Sequence, residues 1–211
     1  MIAFRVIALL SFCALLGAAF YKLRGRKNLL SAFRSLLRQD AVSVSGGFQK
    51  NWRERLRILS AALTVAFGLI LALTGFSPVI LFGSHVSGIL LVIHVTLAPL
   101  FALSLSALAL FWAYRLRFDA SDSRSPGAPQ GEHAAEMRHL FALKAGFWII
   151  LWLSLPLLLT IILGLFPLFG TEGEALLIRL HGYSGLLFLI AALAEVYLII
   201  AYITARKENA T

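Results

Sequence analysis

Residues 82–94 read FGSHVSGILLVIH, and residues 169–181 read FGTEGEALLIRLH. The two stretches align without a gap. Each opens on Phe-Gly at the mouth of a long apolar run and closes on a histidine, His94 or His181, at the same distance inside it. The match extends beyond the histidines, since the first run ends in AYRLR and the second in AYITAR. A segment that occurs twice, each time where a loop enters a long apolar run, predicts two helical hairpins of the same orientation. Two parallel hairpins pack as a four-helix bundle, whose core is a common place for a cofactor.

The rest of the composition agrees with a membrane setting. Of 211 residues, 60% are hydrophobic and 14% are charged, against about 25% charged in an ordinary soluble domain. Several runs exceed the roughly 18 apolar residues that mark a bilayer span. The expected fold class is all-α and integral to the membrane. Helices satisfy their own backbone hydrogen bonds in lipid, and long continuous apolar runs do not suit barrel strands.

Five spans are predicted, at about 2–20, 56–76, 86–114, 145–166 and 175–203. The corresponding units are an N-terminal transmembrane anchor (1–22), a basic connector (23–55) and a four-helix bundle (56–205). The anchor's positive cluster, Lys22, Arg24, Arg26 and Lys27, follows its apolar part, an order that favours an uncleaved helix over a signal peptide. Within the connector, NLLSAFRSLLRQ (28–39) places Leu29, Leu30, Phe33, Leu36 and Leu37 on one helical face. That pattern is expected of a helix lying on anionic headgroups, followed by a break at VSVSGGFQ (42–49). The polar, Pro- and Gly-rich stretch 119–136 reads as a loop.

Basic residues set the expected orientation. The connector and the 115–144 loop carry most of the Lys and Arg, whereas 77–85 and 167–174 carry none. The positive-inside rule places the basic side in the cytoplasm. The Phe-Gly segments then face outward, which in a bacterial inner membrane is the periplasm, with the N-terminus periplasmic and the C-terminus cytoplasmic. The net charge of +9 is thereby accounted for by topology, and no nucleic-acid partner is expected. The single cysteine, Cys13, excludes both an intrachain disulfide and a Cys-x-x-Cys-His site for covalent haem.

An ionisable side chain at membrane depth is costly and faces a partner or cavity. Two histidines at matched depth are what a bis-histidine haem needs, so His94 and His181 are the candidate iron ligands. Their second ring nitrogens would need a carbonyl or hydroxyl partner; Ser184 is one candidate for His181. Gly182, Gly185 and Ala98 leave space beside the histidines, which suits a flat macrocycle and equally suits plain helix packing. A zinc site fits less well, since zinc prefers four ligands. His85 lies nine residues before His94. A continuous helix would put it on the opposite face and about 13–14 Å away, so the two cannot serve one iron. It is a candidate for helping a quinone site, contacting a haem propionate or ligating a haem shared with a partner, or for plain solvation at the interface. Arg179 could pair with a propionate or a quinone carbonyl or snorkel to the interface. Glu195, deep in the last span, reads as a protonated carboxyl or part of a proton path. His139 begins the fourth span, and His133 lies in the polar loop.

LTGF (73–76), then His85-x-x-Gly88, then His94 down the next helix, resembles the b-type cytochrome superfamily that includes the membrane subunits of formate dehydrogenases and nickel-iron hydrogenases. The resemblance covers roughly 50–205. It implies a haem-binding bundle carrying electrons between quinone and a periplasmic redox subunit, as part of an oxidoreductase complex. His94 and His181 match the outer haem pair of such proteins. WRERLRILS (52–60) has no histidine, where the resemblance implies a ligand for an inner haem, so one haem b is expected. The alternatives from the residues alone are a haem-free anchor or assembly subunit and a small transporter.

Overall fold

The computed structural model describes residues 2–23, 52–119, 132–166 and 168–208. The connector helix read at 28–39 and the break at 42–49 lie outside the described residues. Among the described residues there are five α-helices and no strand. They are α1 (Ile2–Leu23), α2 (Trp52–Ser77), α3 (Gly88–Trp112), α4 (Glu132–Gly164) and α5 (Gly170–Glu208). A single π-helical turn, Pro78–Phe82, continues α2.

The segments Trp52–Phe82, Gly88–Trp112, Met137–Gly164 and Gly170–Tyr202 are long and apolar enough to cross a membrane. These are the helices of a multi-pass membrane protein. Their outward surfaces are apolar too, with Leu110 80% and Phe82 77% exposed. Such surfaces suit lipid and not water. α1 extends over 22 residues, and Ala3–Ala14 is the apolar stretch among its described side chains. Two expectations shift. The helix of the fourth span begins at Glu132, so His133 belongs to a helix and not to the preceding loop. The third span begins only at Gly88.

The chain folds as two antiparallel hairpins, α2–α3 and α4–α5, each closely packed within itself, while backbone approaches between the hairpins are sparse. Glycines on α2 let α3 come near. A β-carbon on Gly68 would stand 3.2 Å from Phe101 Cε2, and Phe101 is among the few deeply buried apolar residues, with Leu105, Phe147 and Leu186. Phe101 meets Phe188 of α5 edge-on, ring centres 5.7 Å apart, which joins one hairpin to the other.

The basic end is tied by polar contacts. Arg57 donates from Nε to the Phe111 carbonyl at 3.1 Å and pairs with Glu54 at 3.0 Å. Trp112 Nε1 donates to the Arg57 carbonyl at 3.3 Å, and Trp148 Nε1 donates to the Leu116 carbonyl at 2.8 Å. At the opposite end lie the two Phe-Gly turns. Gly83 and Gly170 adopt φ of +65° and +63°, a left-handed conformation that a β-carbon would disfavour. α1 packs on α5 and on the π-helical turn, through Phe4 against Tyr183 and Phe4 and Phe12 against Phe76. Its Arg5 lies beside Gly83, so the start of α1 is at the Phe-Gly end.

Candidate histidine-pair site

His94 on α3 and His181 on α5 come together between the hairpins. Their ring centres are 6.4 Å apart and the planes stand at 86°. Both side chains are half-buried. The matched segments differ in how they reach this point. After Gly170 the chain is helical at once, whereas 83–87 is non-helical before α3 starts.

Each imidazole is held by the other helix of its own hairpin, and by the same pair of residue types. His94 Nδ1 lies 3.0 Å from Thr74 Oγ1. The threonine gives its own proton to the Ile70 carbonyl at 2.8 Å, as a helical threonine commonly does. Oγ1 therefore accepts from Nδ1–H, and the Leu71 carbonyl also faces this ring. His181 Nδ1 donates to the Leu157 carbonyl at 3.1 Å, with Thr160 Oγ1 at 3.4 Å. Thr160 in turn gives its proton to the Pro156 carbonyl at 2.8 Å. Leu71-x-x-Thr74 and Leu157-x-x-Thr160 are thus equivalent cradles.

The tautomer follows. With the proton on Nδ1 in both rings, each Nε2 carries a free lone pair, and neither has a hydrogen-bond partner among the described residues. Two imidazoles bound trans to one first-row metal, at bonds of about 2 Å, place their ring centres about 6–6.5 Å apart. The observed separation is in that range. Nδ1–H donated to a carbonyl or hydroxyl is the usual support of a metal-bound histidine. The residues present therefore fit a site in which His94 and His181 would each hold a metal whose remaining ligands the bound group would supply. Among the described residues no three His, Cys, Asp or Glu side chains converge as a protein-only metal site.

Space beside the pair comes from α2. A β-carbon on Gly75 would stand 3.1 Å from His94 Cε1. On α5, a β-carbon at Gly185 would make ordinary contact with Leu157 at 3.5 Å and Phe76 at 4.0 Å, and one at Gly182 would meet Phe4 at 3.7 Å.

The other candidates are not brought to this pair. His85 is exposed in the non-helical 83–87 segment, so the helical offset expected between it and His94 does not apply. Arg179 is exposed and donates from Nε to the Ala175 carbonyl at 3.3 Å, one turn toward the Phe-Gly end. Two residues from His181, it points away from the pair, as a snorkelling arginine would. Ser184 donates to the backbone carbonyl of His181 at 3.1 Å and not to the ring. Sequence reasoning does not single out the cradle residues Thr74 and Thr160. The signal available is the repeated Leu-x-x-Thr, one occurrence of it inside LTGF.

No family model, curated protein or solved structure matches the chain.

Proposed function

We propose that the chain is a membrane-bound b-type cytochrome. In this reading the hairpins form a four-helix bundle of two parallel repeats, α1 is an added anchor, and one haem b sits between His94 and His181. The observation that carries it is the pair of imidazoles 6.4 Å apart, each with Nδ1 committed to its cradle and Nε2 left for iron. Haem b supplies a one-electron couple when bound. The chain's own residues orient the ligands. The Leu157 carbonyl and Thr74 hydroxyl fix the ring planes and increase the basicity of Nε2. Phe101 and Phe188, one heptad along α3 and α5 from the histidines, close the apolar layer toward the basic end and keep water out.

We extend the reading to the partners that the sequence resemblance implies, a quinone and a redox subunit docked at the periplasmic face of a bacterial inner membrane. The basic cluster at one end and the Phe-Gly turns at the other support that orientation through the positive-inside rule. The position of Arg5 beside Gly83 supports a periplasmic N-terminus.

The test is the reduced-minus-oxidised spectrum of the full chain, produced with ample haem, with haem quantified per chain. The expected result is a b-type α band and one haem per chain. Replacing His94 or His181 by alanine abolishes the band, whereas H85A and R179A retain it. A colourless wild-type protein would establish the haem-free anchor reading instead.

A further inference from the structure

Glu195 lies two heptads below His181 on α5, on the face that carries Phe188 midway. It meets Gly146 of α4, in the same antiparallel register that sets Thr160 opposite His181. A β-carbon at Gly146 would collide with Glu195 Oε2. That oxygen is shut off from solvent and has no hydrogen-bond partner among the described residues.

The helix backbone it rests on offers no donor. Inside a continuous helix every N–H is already given to the carbonyl four residues back. An ionised carboxylate accepts only, so it would be left unserved at membrane depth, a costly state. A carboxylic acid in the same seat is neutral, and its O–H can donate to a helix carbonyl, which has a second lone pair.

We propose that Glu195, seated on Gly146, is a membrane-embedded proton-binding site, which holds a proton in the α4–α5 interface and exchanges it with the aqueous phase at the basic end. Tyr202, at the last described side chain of α5, is about two turns away. Lys144 and Tyr197 are the nearest ionisable residues along α4 and α5, and each has an interaction of its own. α1 and α3, which also meet α5, carry only Arg5 and Cys13, and His94, as ionisable groups among their described side chains. The matching positions of the first hairpin are Leu108 and Ser60, neither ionisable. The site does not depend on haem.

The probe is dicyclohexylcarbodiimide, a hydrophobic reagent, applied to the full chain in lipid nanodiscs. The acid O–H adds across one C=N bond, the proton going to nitrogen and the carboxyl oxygen to carbon. Migration of the acyl group to nitrogen then leaves a stable N-acylurea, with no other reactant needed. Peptide mass spectrometry should find the adduct on Glu195, decreasing as pH is raised, and not on Glu54, Glu172 or Glu174 at the ends of their helices. Gly146→Ala should reduce labelling several-fold by pushing the carboxyl off its seat. In case that variant is poorly folded, Glu195→Ala added to Gly146→Ala should restore much of the lost melting temperature. The proposal is overturned if Glu195 is left unlabelled, or is modified instead by a water-soluble carbodiimide with an amine. It is equally overturned if Gly146→Ala leaves labelling unchanged, or if the double variant melts no higher than Gly146→Ala alone.

Discussion

The imidazole of His94 rests on the backbone of Gly75, where a β-carbon would stand 3.1 Å from Cε1. This contact is tighter than ordinary van der Waals packing, and the position is in the interior of α2. Alanine there gains up to about 1 kcal/mol in helix propensity over glycine, so G75A need not unfold the hairpin. It should displace the ring by a few tenths of an ångström and misalign the ligand. The expected outcome is a melting temperature near wild type with a clear loss of bound haem, measured by absorbance per chain. G185A is the control, because its β-carbon meets neighbours at 3.5 and 4.0 Å; it should keep both. Equal haem loss in the two variants would remove the argument for Gly75.

The two cradles are alike in residues but not in balance. The hydroxyl is the nearer partner of His94, at 3.0 Å, whereas His181 has a carbonyl at 3.1 Å and the hydroxyl only at 3.4 Å. Loss of such a supporting group typically costs about 10–100-fold in metal-site affinity. T74V should therefore weaken haem retention by about that factor, and T160V by clearly less, in a transfer assay to apomyoglobin. A T160V effect as large as that of T74V would mean that the carbonyl of Leu157 does not orient His181.

The spans and the two histidines are legible in the sequence because each depends on pattern within one stretch of chain. Apolar run length fixes a span, and a histidine inside such a run stands out as an ionisable group that needs a partner. The cradles are not legible. Thr74 meets His94, and Thr160 meets His181, only through the antiparallel register of each hairpin, which loop geometry sets and local pattern does not encode. His85 illustrates the same limit. Its expected helical position fails because Gly88, at φ of +58°, starts α3 after the histidine. α1 is the third case. Its apolar run reads as a separate anchor, yet its Phe4, Ala8 and Phe12 share one helical face, and Ala8 is fully buried.

Phe101 and Phe188 bridge the hairpins one heptad from the histidines, at 5.7 Å and 90°. Removing a large buried aromatic side chain costs about 3–5 kcal/mol, and Phe101 is 4% exposed. F101A should lower stability in detergent by an amount in that range. The double-mutant cycle F101A/F188A should return a coupling of about 0.5–1.5 kcal/mol. A coupling of zero would mean that the hairpins associate without this contact.

Docking of α1 is the remaining relationship open to direct measurement. In lipid there is little hydrophobic drive between helices, so association depends on close packing. For α1 that packing centres on Phe76, which stacks on Phe4 with ring centres 6.2 Å apart and meets Phe12 edge-on at 6.0 Å. Each aromatic pair contributes about 0.5–1.5 kcal/mol beyond its area. F76A should therefore raise hydrogen exchange in α1 several-fold while leaving the middle of α3 and α5 protected, because Phe101 and Phe188 hold those helices independently. F76L, which keeps volume without the ring, should fall between the two. If α1 exchanges at the wild-type rate in F76A, its hold on the bundle comes from Phe4 on Tyr183 or from Arg5 at Gly83, and the aromatic stripe is not what seats it.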